Sequence, residues 1–98
     1  MIRAKNIIHP GEVLLEEFLR PLNISQTRLS LEIHVPAPRI NAIVRGTRAI
    51  SADTALRLGK YFDTGPEFWM NLQANYDLCL AASKVAEDFA SIKKYSYA

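Results

Sequence analysis

The chain has 98 residues, 49% of them hydrophobic and 22% charged, which is enough apolar material for one packed domain and too much for a disordered chain. No apolar run reaches the roughly 18 residues that a membrane helix needs. The single cysteine, Cys79, excludes an internal disulfide and a cysteine-only zinc site. The formal net charge is only +2, but it is unevenly spread: −1 over residues 1–19, +5 over 20–60 and −2 over 61–98. Positive charge gathered mid-chain is the footprint of a polyanion partner, and equally of a solvated basic helix face. The opening stretch, residues 1–10, lacks the long apolar core of a signal peptide, so the expectation is a cytoplasmic protein.

In chain order the helix signals are dense and the strand signals weak. Pro10-Gly11 opens the first helix, with the proline where its missing N–H costs nothing. Val13, Leu14, Leu15, Phe18 and Leu19 give it a broad apolar side, and Pro21 is expected to end it. Ser25 is a good N-cap for a second helix with Leu29 and Ile33 inward. His34-Val35-Pro36 breaks the pattern. A third helix runs from Ala37 to Arg45 with Ile40, Ile43 and Val44 on one side, and Gly46 stops it. Ser51 caps a fourth, to about Phe62, with Ala52, Ala55, Leu58, Gly59 and Phe62 inward and an Asp53–Arg57 pair outward. Thr64-Gly65-Pro66-Glu67 has capping-box spacing. From Glu67 on there is neither Gly nor Pro, and Trp69, Leu72, Tyr76, Cys79, Ser83 and Ala86 form a stripe along a long last helix that ends near Ile92 or earlier.

Two short helices joined by a tight turn have the geometry of a helix-turn-helix, whose second helix must present small and polar residues to a groove. Residues 25–46 meet that description. This stretch resembles the phage-repressor/Cro-like (XRE) helix-turn-helix superfamily. The residues that carry a closer resemblance, to the HigA/VapI antitoxins, are spread over about residues 7–80. They include His9-Pro10-Gly11-Glu12 followed by Glu17-Phe18-Leu19, Pro21-Leu22 with Ser25-Gln26 and Leu29, Arg39-Ile40-Asn41 with Ile43-Val44-Arg45-Gly46, and Arg48-Ala49-Ile50 with Ala52-Asp53-Thr54-Ala55-Leu56-Arg57-Leu58. Tyr61-Phe62, Pro66-Glu67-Phe68-Trp69, Asn71-Leu72-Gln73 and Tyr76-Asp77-Leu78 complete the set. His34 stands at the usual turn glycine, Ser30 at the usual small residue of the second helix, and Asp63 at a glycine before the last helix.

The resemblance implies an all-α, five-helix, lambda-repressor-like domain over residues 1–98, with its helix-turn-helix at about 25–46 and a dimerisation helix from about residue 65. It implies a dimeric antitoxin that binds double-stranded operator DNA, represses its own operon and neutralises a HigB-type, RelE-like mRNA endonuclease toxin. The alternatives are a stand-alone repressor without a toxin, and an interaction module that uses Leu15 or Leu31 and binds DNA feebly. The candidate DNA-binding residues are Gln26, Thr27, Ala37, Pro38, Arg39, Asn41, Arg45, Thr47 and Arg48. Gln26 sits where a helix start grips phosphate, Arg39 suits guanine O6/N7 and Asn41 adenine N6/N7. The competing reading of Arg39 is an ion pair with Glu32 or a solvated arginine. Phe68, Trp69, Leu72 and Tyr76 are the candidate dimer interface, with Trp69 equally suited to the core.

No constellation for catalysis, metal or cofactor emerges, so neither an enzyme nor a cofactor is expected. His9 and His34 lack ligand spacing to each other or to Cys79, which is expected to be buried and inert. Glu16 and Glu17 diverge on their helix, and there is no glycine-rich phosphate loop.

Overall fold

Helix α1 covers residues 10–22 of the computed structural model, which describes residues 7–97; the leader reading of residues 1–6 lies outside them. His9 caps α1, its Nδ1 accepting from the Gly11 N–H at 2.9 Å. The helix is α-helical over Pro10–Val13, π-helical over Leu14–Leu19 and α-helical again over Arg20–Leu22. Pro21 therefore does not end it. A proline clashes with the carbonyl four residues back in an α-helix. Here the preceding turn is widened, with Arg20 N–H donating to the Leu15 carbonyl, and the proline is carried in the last turn. The stop comes at Asn23, at φ 56°.

The remaining helices are α2 (Gln26–Glu32), α3 (Ala37–Val44), α4 (Ala52–Tyr61), α5 (Pro66–Lys84) and α6 (Ala86–Ala90), and the described residues contain no strand. The sixth helix exists because the backbone leaves helical geometry at Val85, φ −112°. Ser25 Oγ caps α2 by accepting from Arg28 N–H at 3.0 Å, and Ser51 Oγ caps α4 by accepting from Thr54 N–H at 3.3 Å. The expected capping box before α5 does not form. The Thr64 hydroxyl donates to the Gly65 carbonyl and accepts from Trp69 Nε1, both at 2.9 Å. A buried indole N–H needs a partner, and the Thr64 hydroxyl supplies it.

Each of the first four helix ends is closed by a residue with positive φ: Asn23, His34, Gly46 and Asp63. The reversed chain returns its amides to the helix, with Ile24 N–H on Leu19 O at 2.9 Å, and Val35 on Ser30, and Thr47 on Ala42, at 3.0 Å each. Three of the four are not glycine. Asn, His and Asp tolerate this region better than most residues.

The core gathers Leu14, Leu29, Ile40, Ile43, Leu58 and Trp69, none of which reaches solvent. Trp69 packs its ring 5.0 Å from Phe18 and 5.0 Å from Phe68. In α4 the inward set is Thr54, Ala55, Leu58 and Gly59; Ala52 is exposed instead. In α5 Trp69 and Gln73 are buried, whereas Leu72, Tyr76 and Cys79 are half-buried and Ser83 and Ala86 exposed. The stripe thus faces protein only along the first part of the helix, and beyond it α5 runs clear of the other helices. The molecule is accordingly long, 54 × 28 × 22 Å.

Two glycines set the closest helix approaches. A Cβ on Gly11 would lie 1.7 Å from the Ile43 carbonyl oxygen, and one on Gly59 would lie 2.4 Å from the Gly65 carbonyl carbon. Gly→Ala at an ordinary helix position stabilises by up to about 1 kcal/mol. Gly11→Ala is expected to do the opposite, costing about 3 kcal/mol as α1 and α3 are forced apart. Urea unfolding with an unchanged slope measures it, and an unaffected or raised midpoint would contradict the close contact.

Candidate nucleic-acid interface

Ser25 starts α2 so that Gln26 and Thr27 stand on its outer first turn, and Pro36 starts α3 so that Ala37, Pro38 and Asn41 stand on its outer side. These five residues line one shallow cleft of about 340 Å³ between the two helices. Asn41 Nδ2 donates to Gln26 Oε1 at 3.2 Å, so the two amides orient each other across the cleft. Arg45, Thr47 and Arg48 follow at the C-terminal end of α3, all exposed. The Thr47 hydroxyl donates to the Ala42 carbonyl at 3.2 Å. Neither Arg45 nor Arg48 forms an ion pair among the described residues.

Arg39 is placed differently from the other eight. It turns towards α4, where its Nη1 meets Asp53 Oδ2 at 3.0 Å, and its side chain is 23% exposed. The partner is not Glu32. Glu32 is taken by Arg28 Nε at 3.1 Å and by the Tyr61 hydroxyl. These contacts draw the Glu32 carboxyl below its usual range, the tyrosine hydroxyl first and Arg28 second, and raise the Tyr61 hydroxyl. Asp53 binds a second arginine, Arg57 Nε at 2.8 Å, and Arg57 Nη1 donates onward to the Ile33 carbonyl at 2.9 Å and the His34 carbonyl at 3.3 Å. Arg57 and then Arg39 hold the Asp53 carboxyl below its ordinary value. Asp53 and Arg57 were legible only as a surface pair. The signal for the larger cluster was that residues 20–60 hold just two acidic groups, Glu32 and Asp53, and Arg28 claims the first at i,i+4.

Of the candidate dimer residues, Trp69 is at 0% exposure and belongs to the chain's own core. The aromatic pocket of Phe18 and Phe62 and the Thr64 hydroxyl already satisfy it. Leu72 and Tyr76 are half-buried, and Phe68 keeps an exposed edge at 38%. Sequence reasoning missed Gln73, whose Oε1 accepts from the Ile50 N–H at 2.8 Å and whose Nε2 donates to Asp77 Oδ1 at 3.0 Å. That bond ties the chain after α3 to α5.

A model of the helix-turn-helix family matches residues 15–69. Virulence-associated protein I of Dichelobacter nodosus is 51% identical over 74 residues, 76% of this chain and 68% of that protein. A solved structure of Pseudomonas aeruginosa antitoxin HigA with the higBA promoter is 46% identical, with a TM-score of 0.88, covering 93% of this chain and 100% of that one. The chain belongs to the helix-turn-helix family, in its HigA/VapI branch. The transcriptional regulator YbaQ of Escherichia coli K12 is 41% identical over 70% of this chain, and the match spans 61% of its own length, under two thirds. The matched stretch contains α2 and α3, the two short helices expected to form the helix-turn-helix.

His9 packs beside the turn that follows α3. Its ring lies edge-on to Tyr76 at 4.7 Å and against Gly46, whose Cβ position is 3.7 Å from His9 Cγ. Burial lowers its pKa from the ordinary 6.5, opposed by Asp77 and the Arg48 backbone. The unfolded chain therefore takes the proton first. The stability held by neutral His9 is full above about pH 6.5 and is lost as the pH falls through the lower folded value. His9→Asn supplies a capping oxygen in place of Nδ1 and removes the titration. Its melting temperature should fall less between pH 7.5 and 5.5 than that of the parent, and an equal fall would contradict the assignment.

Proposed function

We propose that the chain is an antitoxin that binds operator DNA sequence-specifically, represses its own toxin–antitoxin operon and neutralises a HigB-type, RelE-like mRNA endonuclease. The observation that carries this is the cleft of Gln26, Thr27, Ala37, Pro38 and Asn41 on the outer side of α2 and α3, flanked by Arg45 and Arg48. Small residues at Ala37 and Pro38 admit α3 to a major groove, and the two amides have the donors and acceptors to read it. The flanking arginines grip the repeating phosphates, which fix the register without reading sequence. The P. aeruginosa HigA structure, of the same fold and 46% identical, is one held on promoter DNA.

The working species is a cytoplasmic homodimer formed through the outer side of α5, where Phe68 and Leu78 remain exposed. A two-fold pair places two α3 helices about 34 Å apart, one turn of DNA. The stand-alone repressor reading draws on YbaQ, described as a transcriptional regulator. It is separated from the antitoxin reading by whether a RelE-like endonuclease encoded beside this gene co-purifies with the protein.

Fluorescence anisotropy with the duplex upstream of its own gene and with a random duplex of equal length tests the DNA reading. The parent should prefer the upstream duplex. Arg48→Ala should weaken both duplexes alike and reduce the salt slope by about 0.9 for each lost phosphate contact. A parent without preference, or a loss confined to one sequence, would refute it. Sedimentation at micromolar concentration should show a dimer, and a monomer alone would refute that part.

A further inference from the structure

Asp53 lies in the first turn of α4, beyond α2 and α3, yet it is the acid that Arg39 of α3 reaches. Its two carboxylate oxygens are divided between two arginines: Oδ2 receives Arg39 Nη1 at 3.0 Å and Oδ1 receives Arg57 Nε at 2.8 Å. Arg57 is in turn anchored by the Ile33 and His34 carbonyls, at the end of α2 and the turn into α3. The guanidinium of Arg39 is thus tied through one carboxylate to the turn of the helix-turn-helix itself. Only one of its nitrogens is engaged by a hydrogen bond among the described residues, leaving Nε and Nη2 as a two-donor edge.

Two physical consequences follow. A long arginine side chain ordinarily loses rotamer freedom on binding; one already held by a carboxylate has less to lose. A carboxylate at 3.0 Å also offsets the guanidinium charge, so Arg39 adds less to the sequence-blind pull on phosphate than Arg45 and Arg48 do. Both push Arg39 from general affinity towards discrimination, because the paired donors of the planar fork match the O6/N7 edge of guanine.

We infer that Asp53 is a specificity-determining positioning residue, which holds Arg39 as a pre-set, charge-compensated fork for a guanine edge in the operator. This rests on the operator-reading role of α3 proposed above. Asp53→Asn keeps the shape and removes the charge. Titrations of the upstream and random duplexes at several salt concentrations should show random DNA bound more tightly, with a steeper salt slope. The ratio of upstream to random affinity should fall about tenfold. Asp53→Glu, which restores the carboxylate, should recover part of that ratio. In an Arg39→Ala background Asp53→Asn should leave the ratio unchanged, since its route to the DNA is gone. Thermal melts of the same variants show whether the fold is intact, and a ratio that tracks the melting temperature instead of the charge would overturn the inference. A parent that prefers the upstream duplex while Asp53→Asn keeps its ratio overturns the role of Asp53 alone. A ratio that falls equally in the Arg39→Ala background does the same. A parent with no preference overturns the operator reading, and this inference with it.

Discussion

The position of α3 depends on a contact between two backbones. Gly11 brings the start of α1 against the carbonyl of Ile43, so close that any side chain at residue 11 would occupy the oxygen's place. His9 closes the same corner by capping α1 and packing on Gly46 and Tyr76. The C-terminal end of α3 is therefore held by main chain, whose geometry does not repack as side chains do. With Ile40 and Ile43 buried on one side, the opposite side carrying Pro38 and Asn41 has one available direction, towards solvent. The cleft shared with Gln26 and Thr27 follows from that direction. A second backbone approach, Gly59 on Gly65, does for the α4–α5 corner what Gly11 does for α1 and α3. Gln73 links the two corners through the amide of Ile50.

The turn between α2 and α3 shows how local strain is carried by tertiary contacts. His34 sits at φ 62°, a conformation that costs a side-chain-bearing residue on the order of 1 kcal/mol. It persists because Val35 and Ile33 are buried on either side of it and because Arg57 reaches from α4 to the carbonyls of Ile33 and His34. The same arginine occupies Asp53, which occupies Arg39. Arg57, on α4, thus both holds the turn between α2 and α3 and shares with Arg39 the carboxylate of Asp53.

Much of the fold was legible because the caps and the helical period agree. Ser25, Gly46 and Ser51 each bound an element where expected, and Leu29, Ile33, Ile40 and Ile43 are inward. The failures have a common cause in tertiary context. Pro21 reads as a stop unless the preceding turn widens, and nothing in the residues themselves announces a π turn. Thr64 reads as a capping residue until a buried indole claims its hydroxyl. Trp69 reads as core or interface alike, because a helical stripe does not say whether its cover lies in the same chain. Residue type and position named the DNA candidates one by one; in the structure Gln26, Thr27, Ala37, Pro38 and Asn41 line one cleft. Type and position did not predict that Arg39 is claimed by an acid fourteen residues on, a pairing set by how α3 meets α4.

The excess of basic residues over 20–60 is not spent uniformly. Arg28, Arg39 and Arg57 are engaged by Glu32 and Asp53 of the same chain, while Arg45 and Arg48, exposed past the end of α3, form no ion pair among the described residues. This outward edge, with the cleft beside it, is the surface proposed to meet DNA. Backbone amide chemical shifts recorded by NMR during titration with the upstream duplex test it most directly. The account predicts shifts concentrated at residues 26–27, 37–41 and 45–48, with α6 unmoved. Shifts centred on α5 and α6, with the cleft residues unchanged, would contradict it.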